Sequence, residues 1–436
     1  MDNWFGTIDV MPWISVVIYL SLFVVCFSLI WFLFPKKNRR LVLFVFAISF
    51  LIRILYVSQT DYTTRTHDVG GHIEYISYIY HNAKIPLAAD CWQCYQPPLY
   101  YFSAIPFYVF DLYFFQGNEY VFLQAYSLLL NLLFLIVGFR IITKLLPVGV
   151  KQFGSMILLG TIPAFVFSSA RIGNDSLVYL CSVIFLYHFY CSPYNDHFWR
   201  GFKKLIWIFF GLLTKSTAIV LLPMWIYYII KRRRHVTRKP YLFYVTLALF
   251  VLTICAVSGR GLLVNRNQDL LVGNIDNLNQ DLKVGVSPVN FFWFDFKDFI
   301  AYPNINPWRD EGGRQYFNNY LIKSGLFGEF PISSVVGSWS SVILGLISLY
   351  IIFKFVQHYF LNRRKDVYFY SIVLFYLALA VFRFLKPFAS SNDFRYIAPA
   401  YVPIIISFAK SKMSSTVYLS VSMIFAVVGI IFIVFI

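Results

Sequence analysis

Two long apolar runs joined by a short basic loop, "WISVVIYLSLFVVCFSLIWFLFPKKNRRLVLFVFAISFLIRILYV" (13–57), decide the fold class. An α-helix needs about 20 consecutive apolar residues to cross the hydrocarbon core of a bilayer. Each run is close to that length, and the loop between them, KKNRR (36–40), is strongly basic. The stretch therefore predicts two transmembrane helices whose connection lies on the cytoplasmic side, where basic loops are enriched.

The composition extends this prediction to the whole chain. Of the 436 residues, 59% are hydrophobic and only 13% are charged, and the mean hydropathy is +0.66. A soluble domain needs far more charge to cover its surface. Aromatic residues make up 21% of the chain, which suits wide belts at the membrane interfaces. We expect one integral-membrane domain over residues 1–436, an all-α multi-pass bundle of about twelve transmembrane helices.

The apolar runs place these spans near 12–34, 41–57, 119–139, 153–170, 175–191, 205–214, 217–230, 241–258, 333–355, 367–384, 396–409 and 416–436. The stretch 205–230 has two interpretations, one long helix or a short hairpin with Lys215 near its tip. Basic residues flank both of its ends, which favours the hairpin. The first run is too long for the apolar region of a cleavable signal, so we expect it to remain as a helix.

The distribution of charge orients the bundle. The loops on the KKNRR side hold most of the 37 Lys and Arg residues but only Asp196 and Asp366 of the 20 acidic residues. Two long segments, about 58–118 and 259–332, then lie outside. The net charge of +17 reflects this bias and contact with anionic lipids, and we expect no nucleic-acid partner. Because the outer face has no nucleotide pool, an enzyme there would use a preactivated, membrane-borne donor, although a transporter would also fit this topology.

The first outer segment contains "THDVGGHIEY" (66–75), which concentrates ionisable side chains in an apolar chain. At about 100° per helical residue, His72 and Tyr75 share a face with Asp68, while His67 and Glu74 share another. All four side chains therefore cannot bind one ion on a regular helix. A Mg or Mn site that includes Asp68 and His72 stays open, because the two glycines weaken the helix. Asp68 could instead only cap the helix that follows.

The same segment continues with "CWQCYQPPLYY" (91–101). Cys91 and Cys94 lie outside, where a local disulfide can form. Pro97 and Pro98 favour extended backbone followed by the start of a helix. The apolar run over 97–115 is interrupted by Pro106 and Asp111, so we interpret it as an interfacial helix in this loop rather than a span.

An acidic motif after an early span, followed by "YQPPLYY", resembles the GT-C superfamily of polyprenyl-phosphate-sugar glycosyltransferases, such as protein O-mannosyltransferases and the lipid A aminoarabinose transferase. Four further segments between about 50 and 405 agree in order: "ARIGNDSLVYL" (170–180), "GLLTKSTAIVLLP" (211–223), "YLIKSGLFGEF" (320–330) and "SSNDFRYIAPAYVP" (390–403). The chain departs from the family in having an extra first span. It also has "HDVGGH" where many members carry adjacent acidic residues.

The resemblance implies a GT-C-like bundle that moves a sugar, with inversion, from a polyprenyl-phosphate donor to an acceptor hydroxyl. A carboxylate must take the hydroxyl proton, and cations must meet the charge on the departing phosphate. The implied roles are Asp68 as general base; Arg395, Lys386, Arg383 and His72 at the donor phosphate; Tyr95, Gln96, Tyr75 and Glu329 at the sugar or acceptor; and Arg171, Asn174 and Asp175 in a tight turn that favours structural pairing.

The resemblance further implies a bacterial inner membrane with the site facing the periplasm. The acceptor is expected to be an envelope glycan such as O-antigen, with lipid and protein acceptors open. The rival interpretations are a transporter or flippase of lipid-linked sugars and a non-catalytic subunit of an envelope complex. Transporters usually carry charges within their spans and show related halves. This sequence places its acidic residues mainly at the outer edge, which favours the enzyme.

Overall fold

The computed structural model describes residues 13–66, 68–191, 198–231, 279–361 and 366–436, together with residues 244, 247, 248 and 251. Over these ranges the regular structure is helical, apart from an isolated antiparallel bridge between Lys283 and Phe388. The α-helices are α1 (Trp13–Leu33), α2 (Lys36–Ser58), α3 (Val69–Asn82), α4 (Leu99–Phe115), α5 (Val121–Leu145), α6 (Val150–Thr161), α7 (Pro163–Ser168), α8 (Asp175–Cys191), α9 (Phe198–Thr214), α10 (Leu222–Lys231), α11 (Pro288–Phe292), α12 (Phe296–Ala301), α13 (Phe317–Phe327), α14 (Val335–Val356), α15 (Val367–Leu385), α16 (Tyr401–Lys410) and α17 (Ser415–Phe435).

Six of the described helices are long and apolar enough to cross a membrane, namely α1, α2, α5, α14, α15 and α17. The all-α, multi-pass class predicted from the sequence is therefore confirmed. Two predicted spans are broken: 153–170 divides into α6 and α7 at Pro163, and 396–409 begins with a 3₁₀ turn before α16. The predicted span 241–258 and the outer residues 259–278 lie almost wholly outside the described residues. The number of crossings, about twelve, stays a prediction.

The stretch 205–230 breaks at Lys215, whose backbone is extended between α9 and a 3₁₀ turn over Ser216–Leu221. The chain then packs back on the helix that it has just left. A Cβ atom at Gly211 would come within 2.8 Å of the Cβ atom of Ala218, so this return needs the glycine. The break agrees with the hairpin that the sequence favoured, with Lys215 at its tip.

Helix α5 forms the centre of the bundle, since most of its side chains are buried and it packs against α8, α4, α6 and α2. Its first turn is held by Asp111 of α4, whose buried carboxylate accepts hydrogen bonds from the backbone N–H groups of Phe122 (2.7 Å) and Leu123 (3.0 Å). These N–H groups have no partner within their own helix. Asp111, which interrupts an apolar run in the sequence, therefore caps the next helix from outside.

The periphery of the bundle is apolar as well. Helix α1 leaves most of its side chains exposed, including Phe32 at 84% and Trp13 at 73%. A soluble protein rarely exposes a continuous apolar surface of this kind. Such a helix suits contact with lipid acyl chains, as expected for a span at the edge of a membrane bundle. Helix α17 packs between α6 and α14 on another side.

Candidate active site

One cavity of about 830 Å³ joins segments that are far apart in the sequence. Its polar end is formed by five stretches: the start of α3 with the following loop, the turn before α8, the break after α9, the loop after α13 and the loop before α16. The polar and charged side chains that line it are Asp68, His72, Trp92, Gln93, Tyr95, Gln96, Arg171, Asn174, Asp175, Lys215, Glu329 and Arg395. Most of the residues predicted at the site are therefore brought together.

Asp68 lies at the cavity in an exposed position, immediately before α3. Its backbone is left-handed (φ 55°, ψ 30°), a region that few residues other than glycine adopt. It occupies the N-cap position, yet its carboxylate makes no capping hydrogen bond. Instead, Oδ1 accepts a hydrogen bond from the indole N–H of Trp92 at 3.1 Å. The capping alternative therefore does not account for this side chain.

His72 lies one helical turn further on and also lines the cavity, as the helical phase predicts. Its ring is buried, and Nδ1 is 2.9 Å from the hydroxyl of Tyr101. Burial, with a further contribution from the positive charge of Lys215, lowers the pKa of His72 to about 4. The ring is therefore neutral near pH 7, and it can exchange hydrogen bonds with a ligand but cannot neutralise a phosphate.

Tyr75, on the same face of α3, lies behind the cavity wall rather than in it. Its ring stacks on Tyr101 at 3.8 Å, and its hydroxyl donates to the backbone oxygen of Gln96 at 3.2 Å. Because Tyr75 does not line the cavity, the structure does not support the predicted contact between Tyr75 and the sugar. Tyr95 and Gln96, the other residues of that prediction, do line the cavity. The helical phase is right, but a neighbouring aromatic ring covers this position.

The turn before α8 faces the same cavity, and two of its residues have structural partners. The Asn174 amide donates to Gln96 Oε1 at 3.3 Å and to the backbone oxygen of Thr214 at 3.1 Å. Asp175 forms an ion pair with Lys215. These contacts agree with the structural pairing that the sequence favoured for this turn, and they also join the turn to the tip of the 205–230 hairpin.

Arg171 differs from its neighbours in the turn. Its guanidinium lies over the ring of Phe330, 4.5 Å from the centroid. Its Nε and one terminal nitrogen are buried and have no hydrogen-bond acceptor among the described residues. A buried donor left unpaired costs about 1–3 kcal/mol. Arg171 therefore brings unused donors and a positive charge to the cavity, where an anionic ligand would satisfy both.

A polar network inside the bundle holds the turn in place. Arg53 of α2 donates to Asn131 Oδ1 at 2.7 Å and to the Gly160 oxygen at 2.7 Å. The Asn131 amide donates in turn to the oxygen of Phe165 at 3.0 Å, in the short helix before the turn. Gln124 similarly donates to the oxygen of Ala170 at 3.2 Å. The sequence interpretation missed this network, although an arginine within an apolar span is itself a signal, because such a charge is costly unless it is paired.

Arg395 enters the cavity from the loop before α16. Its Nε is 2.9 Å from Asp393 Oδ2, and its guanidinium lies 5.2 Å from the centroid of the Tyr396 ring. Lys215 lies 5.3 Å from the same ring. The two cations therefore flank one aromatic side chain at the polar end of the cavity. With Arg171 they give this end three positive side chains contributed by three separate segments.

Glu329 also lines the cavity and is 7% exposed. Its carboxylate accepts hydrogen bonds from the hydroxyls of Tyr320 and of Ser390, the latter at 3.1 Å. The preceding Gly328 has φ 71°, and a Cβ atom there would come within 2.8 Å of the Phe330 ring. The glycine therefore allows the turn that brings both Glu329 and Phe330 to the site.

The other end of the cavity is apolar. One wall comes from the 3₁₀ turn and α10, and the facing wall comes from α15. The side chains are Ile219, Val220, Leu222, Pro223 and Ile226 on the first wall and Ala378, Leu379, Val381, Phe382 and Leu385 on the second. A single cavity thus joins a charged end to an aliphatic groove between membrane helices, a shape that suits an amphipathic ligand with an anionic head.

A comparison with known families agrees with this geometry. Residues 97–257 match the model of the dolichyl-phosphate-mannose-protein mannosyltransferase family. The matched region includes the turn before α8, the hairpin tip at Lys215 and one wall of the apolar groove. Residues 97–257 therefore carry the signature of a GT-C-type glycosyltransferase. No curated protein matches the chain.

Two cations predicted at the donor phosphate, Arg383 and Lys386, do not line this cavity. Arg383 of α15 is buried, and its terminal nitrogen donates to the backbone oxygen of Gly285 at 2.9 Å. It therefore ties the second outer segment to the bundle. Lys386 follows α15, and its backbone N–H closes that helix on Phe382. Their position in one short loop suggested a shared role with Arg395, but of the three only Arg395 lines the cavity.

The remaining predictions concern the first outer segment, about 58–118. Cys91 and Cys94 are joined in a disulfide, with their Cα atoms 5.0 Å apart. Glu74 is exposed on the face of α3 away from Asp68, while His67 lies outside the described residues. Among the described residues, no group of three or more His, Cys, Asp and Glu side chains could hold a metal ion. The Mg or Mn site remains an untested alternative.

Proposed function

We propose that this protein is a glycosyltransferase, which takes its sugar from a polyprenyl-phosphate donor and transfers it, with inversion, to a hydroxyl of an envelope glycan such as O-antigen. Transfer would occur on the periplasmic face of a bacterial inner membrane. The observation that carries the proposal is the cavity, which joins one exposed carboxylate, three cations and an aliphatic groove. These are the groups that a lipid phosphate sugar requires.

The donor would lie along the length of the cavity. Its polyprenyl chain occupies the groove between α10 and α15, and its phosphate lies among Arg171, Lys215 and Arg395. Arginine suits this task because its planar fork binds phosphate oxygens in pairs. Asp175 and Asp393 offset part of the positive charge and hold Lys215 and Arg395 in place. Arg171, with its unused donors, contributes the most to phosphate affinity.

Asp68 would act as the general base. As the acceptor oxygen bonds to the anomeric carbon, its proton passes to the Asp68 carboxylate and the bond from that carbon to the phosphate oxygen breaks. The departing polyprenyl phosphate keeps the electron pair, and the cations stabilise its charge. His72 is neutral and supplies a hydrogen bond to the sugar or phosphate, while Gln96 and Glu329 contact the sugar and acceptor. If a divalent ion assists the phosphate, EDTA abolishes transfer; if the cations suffice, EDTA leaves it unchanged.

The test uses the purified full chain in nanodiscs with radiolabelled polyprenyl-phosphate sugars and envelope glycan acceptors. Asp68→Asn is expected to lower kcat by about 10²–10⁴, the usual contribution of a general base. Glu74→Gln is the matched control, since it removes an exposed carboxylate from the same helix on the other face. Full transfer by Asp68→Asn would overturn the base assignment. Absence of transfer from every donor, combined with flux of lipid-linked sugar across vesicles, would identify a transporter.

A further inference from the structure

The tryptophan between the two disulfide-bonded cysteines has its polar atom directed at the proposed base. The indole ring of Trp92 is 46% exposed and lines the cavity, while its N–H donates to Asp68 Oδ1 at 3.1 Å. This hydrogen bond joins the Asp68 carboxylate directly to the Trp92 side chain. Trp92 therefore contacts the side chain whose orientation matters most for proton transfer.

The loop that carries Trp92 is fixed at several points. The Cys91–Cys94 disulfide closes it, and the Cys94 side chain is fully buried. Gly71 lets the loop lie directly against α3, since a Cβ atom there would come within 2.9 Å of Gln93 Cγ and 3.2 Å of Trp92 Cβ. Just after the loop, Gln96 is joined to Asn174. The position of the indole is therefore fixed by the disulfide, by packing against α3 and by the Gln96–Asn174 contact.

We infer that Trp92 is a positioning residue for catalysis, which orients the Asp68 carboxylate and depends on the Cys91–Cys94 disulfide to do so. The inference rests on the proposed role of Asp68 as the base. An aspartate on an exposed left-handed residue can rotate about its side-chain bonds, and a general base works only within hydrogen-bond reach of the proton that it takes. The indole N–H holds Oδ1 and leaves Oδ2 for the acceptor proton. A hydrogen bond from an N–H group to a carboxylate is stronger than one between two neutral groups, so it can hold the carboxylate in one orientation.

Two substitutions separate the N–H group from the ring. Trp92→Phe keeps an aromatic ring and removes the donor, whereas Trp92→Gln keeps an N–H donor of similar reach and removes the ring. We expect Trp92→Phe to lower kcat about tenfold without changing the KM for the donor, a fraction of the roughly 10²–10⁴ that a well-placed base supplies. Trp92→Gln is expected to recover part of that loss. Trp293→Phe, an exposed tryptophan outside the cavity, is the control and retains wild-type kcat.

The disulfide is tested by the double variant Cys91→Ser/Cys94→Ser. It is expected to lower kcat to the level of Trp92→Phe, and adding Trp92→Phe to it causes no further loss, because both changes release the same carboxylate. Thermal unfolding of each variant establishes that the bundle remains folded. A loss confined to kcat, with unchanged unfolding temperature, supports positioning rather than a structural role.

The outcomes separate this inference from the proposed function. Wild-type protein that transfers no sugar from any polyprenyl-phosphate donor overturns both. If the wild type is active and Asp68→Asn is not, but Trp92→Phe has wild-type kcat, only the positioning role is wrong. If Trp92→Phe and Trp92→Gln are equally impaired, the ring rather than the N–H is needed, and that result also overturns the inference.

Discussion

Two arginines with buried donor nitrogens, Arg53 and Arg171, differ in how many hydrogen bonds those donors make. Arg53 lies inside the bundle, 0% exposed, and donates to Asn131, Ser49 and Gly160. Arg171 lies at the cavity, and two of its buried nitrogens have no acceptor among the described residues. Both guanidinium groups lose hydration on burial, and one terminal nitrogen of Arg53 also lacks a partner, but Arg53 regains three hydrogen bonds within the protein. The difference indicates that Arg53 serves the fold and that Arg171 is kept for a ligand.

The largest effect on stability is expected at Arg53. Arg53→Met removes the donors to Asn131 Oδ1 and the Gly160 oxygen and should cost about 1–3 kcal/mol for each acceptor left unpaired. The thermal unfolding temperature in detergent then falls, while the folded fraction loses less donor affinity than Arg171→Met does, because Arg53 is joined to the cavity turn through Asn131. A variant with unchanged stability and weakened donor binding would reverse the comparison, since Arg53 would then behave as a site residue.

The opposite pattern is expected at Arg171. Arg171→Met should weaken binding of the polyprenyl-phosphate donor by about 10- to 100-fold, because a hydrogen bond to a charged group contributes about 1.5–3 kcal/mol. Its unfolding temperature should stay the same or rise, since the substitution removes buried donors that lack acceptors. Donor affinity can be measured by equilibrium binding of the radiolabelled lipid, with Arg171→Lys as the partner variant that keeps the charge. Unchanged affinity in Arg171→Met would show that its unused donors do not meet the phosphate.

A smaller effect, on the pH dependence of stability, is expected at the buried side chain of His72. Its folded-state pKa is about 4, below the ordinary value of about 6.5. The unfolded chain therefore binds a proton that the folded protein does not, and stability falls as pH decreases from about 6.5 towards 4. Between pH 7 and pH 5 the wild type should lose roughly 2 kcal/mol more than His72→Gln, at about 1.4 kcal/mol per pH unit. Equal losses in the two proteins would mean that His72 is protonated in the folded state. His81→Gln, an exposed histidine on the same helix, is the control.

These contrasts also explain which features the sequence could predict. Membrane helices follow from runs of apolar residues, so the bounds of α1, α2, α5, α14, α15 and α17 lie close to the predicted spans. The shared face of Asp68 and His72 follows from helical geometry over four residues. Such local rules need only the chain itself, and they therefore succeed before any tertiary contact is known.

Contacts between distant segments could not be predicted in the same way. Lys215 pairs with Asp175, 40 residues away, and Arg53 reaches Gly160 across 107 residues. Arg383 and Arg395 come from the same short region, yet one turns to Gly285 and the other enters the cavity. The direction of a long side chain depends on its backbone torsion angles and on neighbours that only the folded bundle supplies. The sequence therefore predicted which segments form the site, but it could not predict which partners their side chains contact.

The left-handed backbone at Asp68 limits which mutations there can be interpreted. Asparagine tolerates this conformation about as well as aspartate does, because a short polar side chain can bond locally. Alanine, valine or glutamate would add a conformational cost of about 1–3 kcal/mol at the start of α3. Loss of activity in such variants would mix a disturbed helix start with a missing carboxylate. Asparagine is thus the informative replacement, and a saturation screen at this codon would measure backbone tolerance together with chemistry.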